Sequence, residues 1–126
     1  MTAIEAARDI PFAIKRIYYI TDVAPEVVRG NHAHRELQQV LICLKGQVKI
    51  MVENALRDEK QTIELNAINR GLYIGPMTWR QMYDFQQDTV LLVLADEYYD
   101  EADYIRDYAQ FLEAADELKA AKGEGE

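Results

Sequence analysis

The chain contains a succession of short apolar segments separated by turn-like residues, and this pattern restricts its fold more than any other feature. Seven segments rich in Val, Ile, Tyr and Leu are found at residues 12–23, 37–44, 47–53, 61–65, 71–74, 81–85 and 89–95. Tight or polar connections are placed to fold consecutive segments back on each other, at Lys45-Gly46, 54–58, 66–70 and 86–88. Because few helical stretches intervene, we expect antiparallel strands in a sandwich or barrel rather than a parallel α/β sheet.

The periodicity changes near the C-terminus. After Tyr98, apolar residues follow i, i+3, i+4 spacing, at Ile105, Tyr108, Phe111, Leu112, Ala115 and Leu118. This spacing predicts an amphipathic helix over about residues 99–121, followed by a frayed tail at 122–126. A chain of 126 residues with 49% apolar content can bury one core, so we expect a single domain over residues 1–126.

The net charge of −8 argues against nucleic acid and anionic membrane surfaces as partners. Residues 1–95 contain 11 basic and 11 acidic side chains, whereas residues 96–126 contain 3 and 11. A small anionic ligand would therefore meet no net repulsion from the first three quarters of the chain, where the candidate site is expected. No stretch resembles a membrane span or a secretory leader, which predicts a cytoplasmic protein.

The only two histidines of the chain are separated by one residue, as His32-Ala33-His34. Residues i and i+2 of a strand point to the same face, so both imidazoles would project into one space. The alternative is a surface His-X-His pair at the start of a strand. The residues that follow favour a site, because from His32 to Gly46 they resemble the first cupin motif: His-X-His, three or four residues, Glu, six residues, Gly.

Two expected metal ligands are replaced within this frame. Gln38 or Gln39 occupies the place of the Glu, and Arg80 occupies the place of the His in the segment 75–80, which resembles the second cupin motif. A guanidinium does not deprotonate and would repel a divalent ion, and Gln offers a weaker oxygen than a carboxylate. We therefore expect no metal and no other cofactor. Two imidazoles beside a fixed cation would instead suit proton transfer on an anionic substrate.

Short motifs that occur in order along most of the chain, to about residue 111, resemble one family. They are residues 10–12, 15–20, 29–34, 41–44, 71–76, 79, 82–85, 98–101 and 103–106. Together they resemble the dTDP-sugar 3,4-ketoisomerases, cupins that act on dTDP-4-oxo-6-deoxyglucose. The resemblance implies an all-β cupin jelly-roll or β-barrel with a C-terminal helix. It also implies a cytoplasmic homodimer that makes a dTDP-3-oxo-6-deoxyhexose without a cofactor.

The chain departs from this family in two places. The family usually begins with an Asp-X-Arg-Gly segment before the stretch that matches residues 2–5, and this chain starts after it. A first strand, often shared across the dimer, is therefore expected to be missing or replaced. Some relatives carry His at the position of Arg80, and an exchange beside the sugar would influence the face on which C4 is reprotonated. We favour a glucose-configured product.

The implied reaction needs a base that removes the C3 proton and a group that protonates C4 of the resulting enediolate. One imidazole can serve both steps, because an unperturbed histidine titrates near pH 6.5. We expect His34, further into the strand, to be this catalytic group, and His32 to orient it or to protonate the carbonyl oxygen. The sequence leaves the two roles interchangeable.

Three arginines are candidates for binding the substrate. Arg29, three residues before His32, would hold the diphosphate through charge-assisted hydrogen bonds, or is simply solvated. Arg80 has the better case, because a buried arginine needs an anion or a carboxylate as partner. Arg106 either reaches the nucleotide or pairs with an acid near it.

Neutral side chains complete the predicted site. Tyr73 and Gln38 would form hydrogen bonds with sugar hydroxyls or the enediolate, although packing explains Tyr73 equally well. Trp79 either stacks on thymine or packs in the core, and we favour the core.

Other functions remain open at this stage. A cupin-type sugar-nucleotide epimerase would exchange substrate protons at C3 or C5 without moving the ketone, and a non-catalytic cupin would only bind the nucleotide sugar. A metallo-oxygenase is disfavoured by the argument from Arg80.

Overall fold

The computed structural model describes residues 2–124, which form two antiparallel sheets and one long helix. The strands are β1 (Arg16–Ile20), β2 (Arg29–His34), β3 (Gln39–Lys45), β4 (Val48–Asn54), β5 (Glu59–Leu65), β6 (Gly71–Ile74), β7 (Thr78–Tyr83), β8 (Val90–Ala95) and β9 (Tyr104–Ile105). A short 3-10 helix (Glu101–Asp103) precedes β9, and helix α1 (Tyr108–Glu124) follows it. The all-β class with a C-terminal helix is confirmed. No helix in the described part of the chain combines the length and the apolar character that crossing a bilayer requires.

The two sheets enclose the main core. The first sheet has the strand order β1-β8-β3-β6 and the second has the order β5-β4-β7-β2-β9. Strand alternation sends one set of apolar side chains between the sheets, including Leu41, Ile50, Leu65, Met82 and Val93, and Phe85 from the loop after β7 joins them. The opposite face of the second sheet is covered by α1, where Phe111 and Ala115 pack in one cluster with Trp79. Trp79 therefore packs in the core, which is the alternative that the sequence analysis favoured over stacking on thymine.

Most consecutive strands do not pair with each other, contrary to the turn-based expectation. Lys45-Gly46 joins β3 to β4, which lie in different sheets, and the same is true of the connections at 66–70 and 86–88. Among the described residues, only β4 and β5 form a hairpin between consecutive strands. Turn-forming residues predict only that the chain reverses direction. Which strands pair is decided by the apolar faces that the two sheets must bury. Gly46 serves close packing here, since a Cβ on it would lie 2.3 Å from the Thr89 hydroxyl.

Helix α1 begins later than the predicted residue 99. Residues 104–105 form β9, which pairs with β2 and so takes Ile105 out of the helical pattern. The helix starts after Asp107, whose Oδ1 accepts a hydrogen bond of 3.1 Å from the Gln110 backbone N–H. The helix continues to Glu124, beyond the predicted residue 121, and residues 125–126 of the predicted frayed tail lie outside the described range.

Candidate active site

Strand β2 brings the two histidines together, as predicted. Their ring centroids are 4.9 Å apart, and the rings are nearly perpendicular. The pairing of β2 with β7 shifts between Gly30 and His32, an irregularity of the kind that re-aims side chains beside active sites. Gly30 has φ +90°, and a Cβ on it would lie 3.0 Å from the Arg80 carbonyl oxygen, so this position requires glycine.

Each imidazole is held in a defined tautomer by the partner of its Nδ1 atom. His32 Nδ1 lies 3.0 Å from the Gly30 carbonyl oxygen, and His34 Nδ1 lies 3.2 Å from Asp103 Oδ2. A carbonyl and an ionised carboxylate only accept hydrogen bonds, so each Nδ1 carries a proton and each Nε2 does not. His34 is 1% exposed, and its Nε2 is buried without a hydrogen-bond partner among residues 2–124. The site therefore presents two basic nitrogen atoms, one of them sealed from solvent.

Asp103 is a candidate site residue that the sequence reasoning did not single out. Its Oδ1 accepts a hydrogen bond of 2.8 Å from the Glu36 backbone N–H, and its Oδ2 accepts one of 3.2 Å from Leu37. The carboxylate is thus fixed by the turn after β2 while it orients His34. Asp103 could have been noticed in the sequence because it is the first residue of the family motif 103–106.

Arg80 is buried at this site and has only neutral partners. It is 1% exposed, its Nη1 donates to Gln39 Oε1, and its Nη2 donates to the Thr78 carbonyl oxygen at 3.2 Å. Its Nε has no partner, and no carboxylate forms an ion pair with it among the described residues. A buried cation balanced only by neutral acceptors favours an incoming anion. Gln39, whose Nε2 donates to the Tyr18 hydroxyl at 3.1 Å, is the glutamine that faces the interior.

Burial and the charge of Arg80 keep both imidazoles neutral. Burial is the larger cause, and together the two effects lower the pKa of His32 from 6.5 to about 4 and the pKa of His34 to about 2. Burial also lowers the pKa of Arg80 to about 10, so the guanidinium still carries its charge at neutral pH. Both rings are therefore unprotonated at neutral pH, and an anion bound beside Arg80 would raise the pKa of each.

Two cavities flank the histidine pair. The carboxylate-lined cavity, of about 300 Å³, includes His34 and five acids: Glu36, Asp96, Glu97, Asp100 and Asp103. The arginine-lined cavity, of about 630 Å³, includes His32 together with Arg16, Arg29 and Arg106. Asp96, Glu97, Asp100 and Asp103 come from the acidic C-terminal quarter. The C-terminal quarter, which was expected to supply only Arg106, therefore also contributes carboxylates beside His34, because the segment around β9 returns to β2.

Tyr104 and Arg106 form one wall of the site. The Tyr104 ring centroid lies 4.3 Å from that of His34 and 5.0 Å from that of His32. The Arg106 guanidinium carbon lies 4.2 Å from the centroid of the Tyr104 ring. Arg106 Nε also donates to Glu101 Oε1 at 2.7 Å, so this arginine both lines a cavity and pairs with an acid.

The structure does not bring Gln38 and Tyr73 to the histidines. The Tyr73 hydroxyl donates to Gln38 Oε1 at 2.7 Å, and Gln38 Nε2 donates to Asp96 Oδ2 at 3.0 Å. Neither residue lines either of the two cavities. Adjacent residues at the start of β3 point to opposite sides, so Gln39 takes the interior place predicted for one of the two glutamines. Within residues 2–124, no group of three or more His, Cys, Asp or Glu side chains is arranged to hold a metal ion.

The lowered histidine pKa values predict a pH-dependent stability. The unfolded chain takes up protons on histidine near pH 6.5, whereas folded His32 does so only near 4. The unfolded state therefore binds more protons in this window, and the free energy of unfolding should fall as the pH is lowered from 6.5. The slope should be at most about 1.4 kcal/mol per pH unit for each imidazole.

Urea unfolding of the wild type and of His32→Asn between pH 5 and 7 would measure this effect. We expect a flatter profile in the variant. Glu101, whose pKa is lowered from 4.5 to about 2 mainly by its hydrogen bond from Arg106, contributes stability that is lost only below pH 4.5. Identical slopes above pH 5 would contradict the assignment to His32.

Comparison with known proteins identifies the family. The family model described as FdtA, WxcM-like, C-terminal, matches residues 1–116. A TDP-4-oxo-6-deoxy-alpha-D-glucose-3,4-oxoisomerase from Aneurinibacillus thermoaerophilus is 47% identical over 111 residues, which cover 88% of this chain and 78% of that protein.

Two solved structures are similar along most of their length. One is the 3,4-ketoisomerase QdtA from Thermoanaerobacterium thermosaccharolyticum, crystallised as a histidine-to-asparagine mutant in complex with TDP-4-keto-6-deoxyglucose. It is 54% identical with a TM-score of 0.88, over 93% of this chain and 83% of that chain. The other is WlaRA, a TDP-fucose-3,4-ketoisomerase from Campylobacter jejuni, which is 42% identical with a TM-score of 0.84, over 89% of this chain and 82% of that chain.

These matches confirm the resemblance drawn from the motifs and the cupin-like jelly-roll fold. They also support the ketoisomerase interpretation over the epimerase and the non-catalytic alternatives. The chain belongs to the FdtA family of WxcM-like proteins and is an enzyme of the sugar 3,4-ketoisomerase type.

Proposed function

We propose that the protein converts dTDP-4-oxo-6-deoxy-D-glucose into a dTDP-3-oxo-6-deoxyhexose by proton transfer through an enediolate. The observation that supports this most directly is the state of His34, whose Nδ1 is held by Asp103 and whose unprotonated Nε2 is buried without a partner among residues 2–124. The unprotonated Nε2 is the atom that would take a carbon-bound proton, and an anionic substrate that offsets the charge of Arg80 would raise the pKa of His34 from its low ligand-free value. The reaction needs no external oxidant or reductant, since the isomerisation is neutral in electrons, and we propose that it proceeds without a cofactor.

In the proposed mechanism, the unprotonated Nε2 atoms of His34 and His32 carry the protons that move between the sugar atoms. The C3 proton, acidified by the C4 ketone, moves to His34 Nε2, and the bonding electrons form a C3–C4 double bond with negative charge on O4. The buried charge of Arg80 stabilises this enediolate electrostatically. His32 Nε2 then moves the O3 proton to O4. C4 takes either the proton held on His34 Nε2 or a proton from solvent on the opposite ring face, and in the second case His34 releases its proton to solvent. The C3–H and O3–H bonds are lost, the C4–H and O4–H bonds are gained, and the ketone stands at C3.

The nucleotide part belongs in the arginine-lined cavity. Arg29 and Arg106 line it, and a guanidinium binds diphosphate oxygen atoms through charge-assisted hydrogen bonds. Glu101 orients Arg106 at the cavity wall. Gln38 and Tyr73 have no part in this proposal.

The test is incubation with dTDP-4-oxo-6-deoxyglucose in heavy water, followed by NMR. We expect the C4 ketone signal to be replaced by a C3 ketone signal. A single base that returns the proton to the ring face from which it came gives a galactose-configured product. The glucose-configured product that we favour requires delivery to the opposite face, so the configuration at C4 reports whether one group or two carry the carbon-bound protons. Deuterium exchange without movement of the ketone would contradict the proposal.

We further propose that the enzyme is a cytoplasmic homodimer with one domain per chain. Strand β1 forms an edge of its sheet and exposes Ile17 (59%) and Tyr19 (68%). An unpaired edge that presents apolar side chains suits a second copy of the same chain. Light scattering should give the mass of two chains, and the mass of one chain would contradict the dimer.

A further inference from the structure

Gln39 and Arg80 form a hydrogen-bonded pair behind the histidines. Both side chains are buried, and neither residue lines the carboxylate-lined or the arginine-lined cavity. The backbone of Arg80 pairs with that of His32 between β7 and β2. Arg80 therefore acts on the site through its charge rather than by contact. The side chain that accepts its hydrogen bond determines how much of this charge the histidines experience.

The orientation of the Gln39 amide follows from its two partners. A guanidinium only donates hydrogen bonds, so Arg80 Nη1 requires the Oε1 side of the amide. Gln39 Nε2 is then left to donate to the Tyr18 hydroxyl oxygen, 3.1 Å away. The amide is thus held at both ends, and the side-chain acceptor that it offers to Arg80 is a carbonyl without net charge.

A neutral acceptor at this position has an electrostatic consequence. A carboxylate bonded to a guanidinium cancels most of its charge at a distance, whereas an amide carbonyl satisfies the donor and leaves the charge in place. Arg106 is an example of the first case, since its Nε lies 2.7 Å from Glu101 Oε1. Glutamate and glutamine have the same length, so neutrality distinguishes Gln39 from the carboxylate that the cupin motif has in this part of the chain.

The charge of Arg80 acts strongly on both imidazoles. After burial, which is the largest cause, Arg80 is the charged group that most lowers the pKa of His32 and of His34. Other charged groups that act on the pair come from β1, from the 3-10 helix and from the residue after β9: Arg16, Glu101, Asp103 and Arg106. A change in the effective charge of Arg80 should therefore be visible in the titration of the histidines.

We propose that Gln39 is a positioning residue whose neutral amide keeps the charge of Arg80 available to the reaction. It fixes the guanidinium beside the histidine pair and, unlike a carboxylate, does not cancel the charge that stabilises the enediolate. This inference rests on the proposed function and adds to it the residue that preserves the positive charge of the site.

Gln39→Glu tests the inference, because it changes the charge at this position and keeps the length of the side chain. Nitrogen NMR measures the titration of the two imidazoles. We expect both pKa values to rise, that of His32 by about one unit, since the new carboxylate offsets Arg80. At pH 5 the His32 ring should then be about half protonated, whereas the wild-type ring, with a pKa of about 4, stays mainly neutral.

Turnover of dTDP-4-oxo-6-deoxyglucose by Gln39→Glu measures the effect on the reaction. We expect kcat to fall at least about tenfold with a smaller change in KM, because the enediolate loses part of its electrostatic stabilisation. The greater basicity of the histidines offsets only part of this loss. A chelator in the assay ensures that the new carboxylate acts on Arg80 and not on a metal ion.

Two further variants separate charge from packing. Gln39→Met removes the acceptor of Arg80 without adding charge, so it should lower kcat but should not raise either histidine pKa. Gln110→Glu is the matched control, because Gln110 is exposed on α1 and lines neither cavity. It adds the same negative charge and should keep the wild-type kcat and histidine titration.

Unraised histidine pKa values in Gln39→Glu, or a wild-type kcat in that variant, would overturn the inference. If Gln39→Glu does not fold, Gln39→Met decides: a lowered kcat with unraised pKa values supports the inference, and a wild-type kcat removes it.

The failure of this inference is distinguishable from the failure of the proposed function. The histidine titration is measured without substrate, so unraised pKa values in Gln39→Glu remove the role of Gln39 even when the wild type forms the 3-oxo product. Absence of the 3-oxo product in the wild type removes the reaction. Raised pKa values in Gln39→Glu would then still show that Gln39 preserves the charge of Arg80.

Discussion

Replacing His34 with asparagine should abolish turnover while dTDP still binds. Asparagine keeps an amide that can donate to Asp103, but it has no group that exchanges a proton in the working pH range. We expect the rate of ketone movement to fall roughly 10²- to 10⁴-fold, the contribution of a positioned acid–base group. Loss of the C4 ketone and exchange of the C3 hydrogen in heavy water, both followed by NMR, measure the chemistry, and calorimetry with dTDP measures binding.

The second histidine supplies the matched variant. His32→Asn should slow ketone movement but keep measurable exchange at C3, because in the proposed mechanism His32 handles only oxygen-bound protons. The opposite pattern, with C3 exchange lost in His32→Asn and kept in His34→Asn, would interchange the two roles. Wild-type turnover in His34→Asn would remove the mechanism altogether.

The histidine pair could be predicted from the sequence because it depends on local geometry alone. Strand alternation places residues i and i+2 on one face, and the 4.9 Å between the rings of His32 and His34 follows from it. Alternation likewise requires that only one of Gln38 and Gln39 faces the interior. It cannot say which one, because that depends on how β3 sits in its sheet, and the hydrogen bond from Arg80 shows that it is Gln39.

The contacts that complete the site are not local, and the sequence does not encode them in any short pattern. Asp103 is 69 residues from His34 and meets it because β9 pairs with β2. That pairing was hidden because Ile105 also satisfies a helical spacing, and a two-residue strand is too short to show alternation. The same limitation explains the late start of α1 and the unexpected acidic lining of one cavity.

Asp103→Asn should lower kcat roughly 10²- to 10⁴-fold with a smaller change in KM. Three donors share the two oxygen atoms of Asp103: the Glu36 N–H, the Leu37 N–H and His34 Nδ1. Asparagine offers one oxygen and one NH₂ group. If the NH₂ group faces His34, Nδ1 must accept and the ring proton moves to Nε2, which can then no longer take the C3 proton. If the oxygen faces His34, the imidazolium formed during the reaction still loses the negative charge that stabilises it.

Nitrogen NMR separates this tautomer effect from a merely structural one, since the chain has only two histidines and the spectrum is simple. The Nε2 signal of His34 should move from the unprotonated toward the protonated range in Asp103→Asn. Asp107→Asn is the control, because Asp107 caps α1 away from both cavities and asparagine caps a helix equally well. It should keep the wild-type kcat and spectrum. Full activity in Asp103→Asn with an unshifted Nε2 signal would show that the carboxylate does not set the tautomer of His34.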